Sequence, residues 1–217
     1  MSNRFERLMA LTGVAAVALW IAGLAVMNGM SDSISDSATD AQILTWAQHN
    51  TTTLIVGAWL FAIGCLCFLW FGGVLRTRLA AAEESSTVST IAFAGLVATG
   101  IFGILIPLGD FAVAINKNDV SAATAGTLHH AGDMFFAGAE LSAIVLLAGV
   151  AVLGFRAAAV PRWWAAFSTL VAIVLVIGPI GWAALIFGLP VWTLVTSGLL
   201  LRAPRARRAA VPAPAGA

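Results

Sequence analysis

Apolar positions in this chain fall into long unbroken runs. Leu8 to Met30, Thr52 to Leu75, Val88 to about Ile106 and Met134 to Phe155 each have the length of a membrane span, for which about 20 mostly apolar residues in helical form are needed. None of them alternates polar with apolar in the period of a half-buried strand, so helices are predicted. In hydrocarbon only helices or a closed barrel satisfy the backbone. The last run, Trp163 to Leu201, is too long for one crossing at about 1.5 Å per residue. It contains Gly178-Pro179-Ile180-Gly181 and Gly188-Leu189-Pro190. Two helices with a tight turn inside 178–190 are expected, and one kinked helix with a re-entrant piece is the alternative. The prediction is an all-α, polytopic transmembrane bundle of six spans. It has one domain over residues 1–202 and a disordered cytoplasmic tail over 203–217, rich in Ala, Pro and Arg.

Composition agrees with this pattern. Hydrophobic residues make up 60% of the chain and charged residues 10%, against about 25% charged in soluble domains. The expected partner of such a surface is the lipid bilayer. A net charge of +1 without a folded basic patch excludes nucleic acid as a partner. Charge placement sets the orientation. With six spans, Arg4, Arg7, Arg76, Arg78, Arg156, Arg162, Arg202, Arg205, Arg207 and Arg208 all fall on one side. The other side holds Lys117 with Asp32, Asp36, Asp40, Asp110, Asp119 and Asp133. The positive-inside rule puts the arginines, and both termini, in the cytoplasm. Five spans would break this pattern. The first run is longer than a signal-peptide core and is read as a retained span.

Local signals add detail. Thr39-Asp40-Ala41-Gln42 fits a capping box, so a helix should begin there and run into the second span. The fourth span is expected to extend outward across Ala122 to Asp133. Gly95, Thr99 and Gly103 recur every four residues and allow close helix approach. Pro107 should kink or end the third span. Trp163 and Trp164 are placed at the cytoplasmic interface, and Trp20, Trp59 and Trp70 are read as packing residues. Cys65 and Cys67, two apart on a helix, point away from each other and should not pair. His49 precedes Arg76, and His129 precedes Arg156, by the same interval. Two helical hairpins in parallel register could produce this, but two helices of equal length meeting one bilayer are the favoured explanation.

Residues able to carry chemistry are few, and they gather in the outer half of the bundle. His129, Asp133 and Glu140, spaced by four and seven, share one helical face. Asp110, Asp133 and Glu140 are the candidate ligand- or proton-binding residues. His49, His129 and His130 are candidate ligands for a divalent metal, because neutral imidazole and carboxylate supply the lone pairs that zinc and similar ions take. The competing reading is that the histidines and Asp133 only solvate a helix end. Glu140 lies inside the fourth span, where a carboxylate is costly and by default marks an ion path or ligand site. A structural hydrogen bond, for instance to Thr99, is the alternative. A pocket bounded by the third and fourth helices, with Glu140 at its base, is expected to take an amine, a cation or a hydrogen-bonding headgroup. No nucleophile–base pair, phosphate-binding loop or catalytic motif is visible.

The turn Val160-Pro161-Arg162-Trp163-Trp164 resembles the cytoplasmic turn of a family of small bacterial membrane proteins of unassigned activity, in which Pro-Arg-Trp precedes two apolar helices. The six-span pattern is similar too. This resemblance implies a bacterial cytoplasmic (inner) membrane protein and carries over no site. The expected function is a non-enzymatic accessory, sensor or small-ligand-binding membrane protein with a polar site in its outer half. The alternatives are a proton-linked transporter using Glu140, plausible as a homo-oligomer, and an outer-surface metal-binding protein or metal-dependent hydrolase.

Overall fold

The computed structural model describes residues 3–29, 34–35 and 37–202. Asp32, Asp36 and the expected tail, 203–217, lie outside the described residues. Among those described, every element is helical: α1 (Asn3–Gly29), α2 (Asp40–His49), α3 (Thr51–Ala80), α4 (Thr87–Leu105), α5 (Leu108–Ile115), α6 (Ala122–Ala157), α7 (Arg162–Val176), α8 (Gly178–Ala183), a π-helical segment (Ala184–Gly188) and α9 (Leu189–Arg202).

Five stretches are long and apolar enough to cross a membrane: Phe5–Asn28, Thr51–Ala80, Thr87–Ile115, Ala122–Ala157 and Ile180–Arg202. The sixth expected helix, α7, has 15 residues, a rise of about 22 Å. It runs antiparallel to α9. Trp164 Nε1 donates to Thr196 Oγ1 at 3.0 Å and Trp192 Nε1 to Ser168 Oγ at 2.9 Å, so residue numbers on the two helices run in opposite directions. The reversal is at Ile177 (ψ 90°), just before Pro179, which has no N–H to continue the α7 ladder to Leu175 and whose ring would crowd that carbonyl in a continuous helix. A second proline explains the π-helical segment. Pro190 has no N–H for the fourth carbonyl back, and the ladder widens so that the Leu189 N–H bonds Ala184 O, five residues earlier.

Glycines set the helix contacts. A Cβ on Gly23 of α1 would lie 2.8 Å from Gly57 O, and one on Gly57 would lie 3.0 Å from Gly23 O. The backbones of α1 and α3 therefore touch. Gly95 of α4 rests on Ser142 O and Leu146 N of α6, and Gly103 of α4 rests on Cys65 Sγ of α3. Without a hydrophobic drive between helices in lipid, such close approach is a main source of association. Gly13 of α1 abuts Ser197 of α9, which closes the bundle and brings the first and last helices together.

The main core runs from Trp20 and Phe68 through Leu96 and Leu146 to Trp164 and Trp192. Its centre is aromatic. Trp164 and Trp192 stack at 6.5 Å, and Phe71 meets Trp192 edge-on. Trp164 is thus an interior residue, 2% exposed, and not the interface residue expected from sequence; only Trp163 faces outward. Trp20 is buried and donates to Cys65 Sγ at 3.3 Å. Trp59 and Trp70, expected to pack inside, are 59% and 60% exposed. Both cysteines are free.

A second, separate core lies at the other end of α3. Ile43 and Ala47 of α2, Leu54 of α3, Val113 and Ala114 of α5 and Ala125 of α6 form it. The capping box at Thr39 and Gln42 is present. The helix it starts ends at Asn50 (φ −100°, ψ 19°), so α2 and α3 are two helices and not one. α6 does extend to Ala122. With α5, bent from α4 at Pro107, these pieces make a small helical cap. His49 lies in α2 before the break and His129 well inside α6, so the equal intervals to Arg76 and Arg156 do not correspond to equivalent positions.

Candidate functional site

Asp110 and His129 are brought together. Pro107 ends α4, and the chain resumes as α5 with Asp110 in its first turn. Gly109 lies directly on the Leu128 carbonyl of α6, closer than any side chain permits. That backbone contact sets the register one residue further on, where His129 Nδ1 and Asp110 Oδ1 are 2.7 Å apart. Their side chains are 26% and 24% exposed. The His129 ring stands edge-on to Trp46 of α2, centroids 5.8 Å apart. The pair therefore lies where all three cap helices meet.

α2 is fastened over this point by two further contacts. Asp40 rests against Gly126 of α6, and Gln48 Nε2 donates to Lys117 O at 2.8 Å. Neither was legible as a site signal, because both depend on backbone positions.

His49, His130 and Asp133 lie at the surface. His130 Nδ1 is 3.8 Å from Asp133 Oδ2, with side chains 55% and 87% exposed, an ion pair of little energetic weight. The His49 Nδ1 contacts Thr45 O of its own helix at 2.8 Å. No three His, Cys, Asp or Glu side chains among the described residues are grouped as a metal site would group them. His129 and Asp110 are close, and His49 and Asp133 do not join them.

Glu140 belongs to a different place. It is eleven residues beyond His129 on α6, about 16 Å along the axis. Its face of α6, shared with Ile144 and Ala151, turns toward Thr169 and Ala172 of α7. Gly95 contacts α6 at Ser142 and Leu146, and Thr99 Oγ1 donates to Gly95 O at 2.8 Å. The stripe of small residues is thus occupied by helix packing, and Glu140 lies well along α6 from the Asp110–His129 pair. Glu140 Oε1 instead lies against Gly181 of α8, beside the Leu175 carbonyl.

Two kinds of polar chemistry are therefore available. One is a hydrogen-bonded imidazole–carboxylate pair at the joint between cap and spans. The other is a carboxylate at the apex of the last hairpin. No family model, no curated protein and no solved structure matches the chain, and no family is assigned to it.

Proposed function

We propose that the chain is a non-enzymatic, small-ligand-binding or sensing protein of a bacterial cytoplasmic membrane. In this reading it crosses six times, with both termini in the cytoplasm and the cap outside. The single-sided arginines support the orientation, and the antiparallel α7–α9 pair supports the sixth crossing.

The observation that carries the functional reading is the Asp110–His129 bond. It ties α5 to α6 beneath Trp46, where a change in the cap reaches a helix that continues into the main bundle. A ligand engaging this pair alters how the cap sits on the spans.

The experiment is a thermal-stability screen of the purified protein in mild detergent against small amines, carboxylates and divalent cations. A stabilising class is expected for the wild type and lost in His129→Gln and Asp110→Asn. Stabilisation unchanged in both variants removes the site, and reproducible turnover of a defined lipid substrate overturns the non-enzymatic reading.

A second reading, a proton-linked carrier, is favoured by Glu140 lying inside α6 beside a proline-broken hairpin. Proteoliposomes under a pH gradient test it: cation flux lost in Glu140→Gln supports it, and no flux in the wild type sets it aside.

A further inference from the structure

A furrow of about 360 Å³ runs along the outside of the bundle between α6 and α7. Ala148 and Ala151 of α6 and Ala172 of α7 leave room in it, between the larger Ile144, Phe155 and Ile173. Phe155 and Ile173 are 50% and 55% exposed, so the furrow opens away from the core. Thr169 also lines it, but its Oγ1 donates to Ala165 O at 3.0 Å, which leaves that hydroxyl proton already paired. The lining therefore suits hydrocarbon. From Ile144 to Phe155 the furrow follows eleven residues of α6, about 16 Å. One leaflet of a hydrocarbon layer about 30 Å thick is about 15 Å deep, so the furrow has the length of a single acyl chain.

One end of the furrow is cationic. Arg156 follows Phe155 directly on α6, and Arg162 precedes Thr169 by seven residues, two turns, on the same face of α7. Both arginines are exposed. Among the described residues, neither makes an ion pair or a hydrogen bond. α7 starts at Arg162 without a side-chain cap, so the positive end of its dipole adds to their charge. The sequence has no Asp or Glu after Glu140, and the nearby helix ends therefore bring no counter-charge of their own. A second copy docked furrow to furrow would gather four arginines with nothing to neutralise them. A lipid with an anionic headgroup supplies the chain and the counter-charge together.

We propose that the α6–α7 furrow, with Arg156 and Arg162 at its end, is a binding site for one anionic phospholipid. An acyl chain lies along the alanines, and the phosphate meets the two guanidinium groups, which bind phosphate oxygens well. Basic residues between helix ends at a membrane surface are a common seat for such headgroups. The proposal rests on the membrane placement above and uses neither the Asp110–His129 pair nor Glu140.

The test uses the full chain in mild detergent, titrated with dioleoyl phosphatidylglycerol or dioleoyl phosphatidylcholine. The two lipids share their acyl chains and differ in net charge. Phosphatidylglycerol is expected to raise the wild-type thermal midpoint by about 2–4 °C, at a half-saturating concentration at least fivefold below that of phosphatidylcholine. The double variant Arg156→Gln, Arg162→Gln should lose this preference. Arg78→Gln, on α3 and outside the furrow, should keep it. Ala148→Phe fills the furrow from its exposed side and should weaken phosphatidylglycerol binding at least fivefold. Glycerol 3-phosphate alone should not stabilise the protein. Equal wild-type responses to the two lipids overturn the proposal, and so does a preference that survives in the double variant. Stabilisation by glycerol 3-phosphate equal to that by phosphatidylglycerol also overturns it, in favour of a free anion. A lipid-free dimer that Ala148→Phe converts to a monomer, read by native mass spectrometry, overturns it in favour of a second copy. A chain that stays in solution without detergent refutes the membrane placement itself, a result distinct from all of these.

Discussion

His129 accompanies Asp110 because Gly109 rests on Leu128: each member of the 2.7 Å pair follows, by one residue, a member of a backbone contact. The bond joins a helix that begins after a proline break to one that continues into the main bundle. It is about three-quarters buried, where a hydrogen bond to an ionised group is worth more than at the surface.

The pair should therefore show energetic coupling. Asp110→Ala and His129→Ala are each expected to lower stability by about 1–2 kcal/mol. The double variant should lose about 1 kcal/mol less than their sum. Denaturation of the four proteins in one detergent measures this. Additivity within about 0.3 kcal/mol means that the contact contributes nothing.

Glu83 gives a pH-dependent expectation at the other end of the bundle. Its carboxylate accepts from Ser89 Oγ at 2.6 Å, Ser89 N at 2.9 Å and Val88 N at 3.3 Å, capping α4 across the α3–α4 turn. These bonds, the Ser89 hydroxyl foremost, hold its carboxyl below the ordinary value of 4.5. A lowered folded-state value means that the stabilisation is complete above 4.5 and is lost as pH falls through the lower value. Glu83→Gln should thus lower the melting temperature at pH 7, and its deficit should shrink under acid conditions. Thermal melts from pH 7 to pH 3 check this; a deficit independent of pH would show that the charge is irrelevant to the cap.

Ala158 offers a stabilising change. It ends α6 in the left-handed region, φ 50°, and the N–H of Ala159 closes the turn on Leu153 O at 3.2 Å. A Cβ in that conformation costs about 1–2 kcal/mol, partly offset by the freer unfolded chain of glycine. Ala158→Gly is expected to add about 0.5 kcal/mol, or 1–2 °C. A lower melting temperature contradicts this account of the turn.

The spans were legible because lipid leaves the backbone no alternative to internal hydrogen bonding, and the break at Pro107 followed from a missing N–H. Which face of a span turns inward was not legible. Trp59 and Trp70 could be assigned to the interior only by hydropathy, and in lipid the exterior is as apolar as the core. Trp164 was misplaced because an indole suits an interface as well as a buried site with an acceptor, and its acceptor, Thr196, lies 32 residues away. Asp110, His129 and Glu140 were recognisable as residues out of place. Their neighbours were not, because the Leu128 and Leu175 carbonyls belong to side chains that suggest nothing polar. The cap core was hidden for a different reason: Ile43, Ala47, Val113 and Ala125 come from three segments far apart in sequence, and nothing in any one of them names the other two.

The unequal lengths of α6 and α7 have a consequence for the surrounding bilayer. α6 has 36 residues and α7 has 15, so two neighbouring helices rise about 54 Å and about 22 Å. A hydrocarbon layer about 30 Å thick meets one flank that overtops it and another that falls short. Lipids on the short flank must compress toward the hairpin apex, at a cost of a fraction of a kcal/mol for each ångström of mismatch. The deformation is one-sided, so it gives the protein a preference for short-chain lipid at that flank and a reason for two such flanks to meet. The depth of Glu140 in the bilayer then depends on the length of the neighbouring acyl chains as well as on its place in α6.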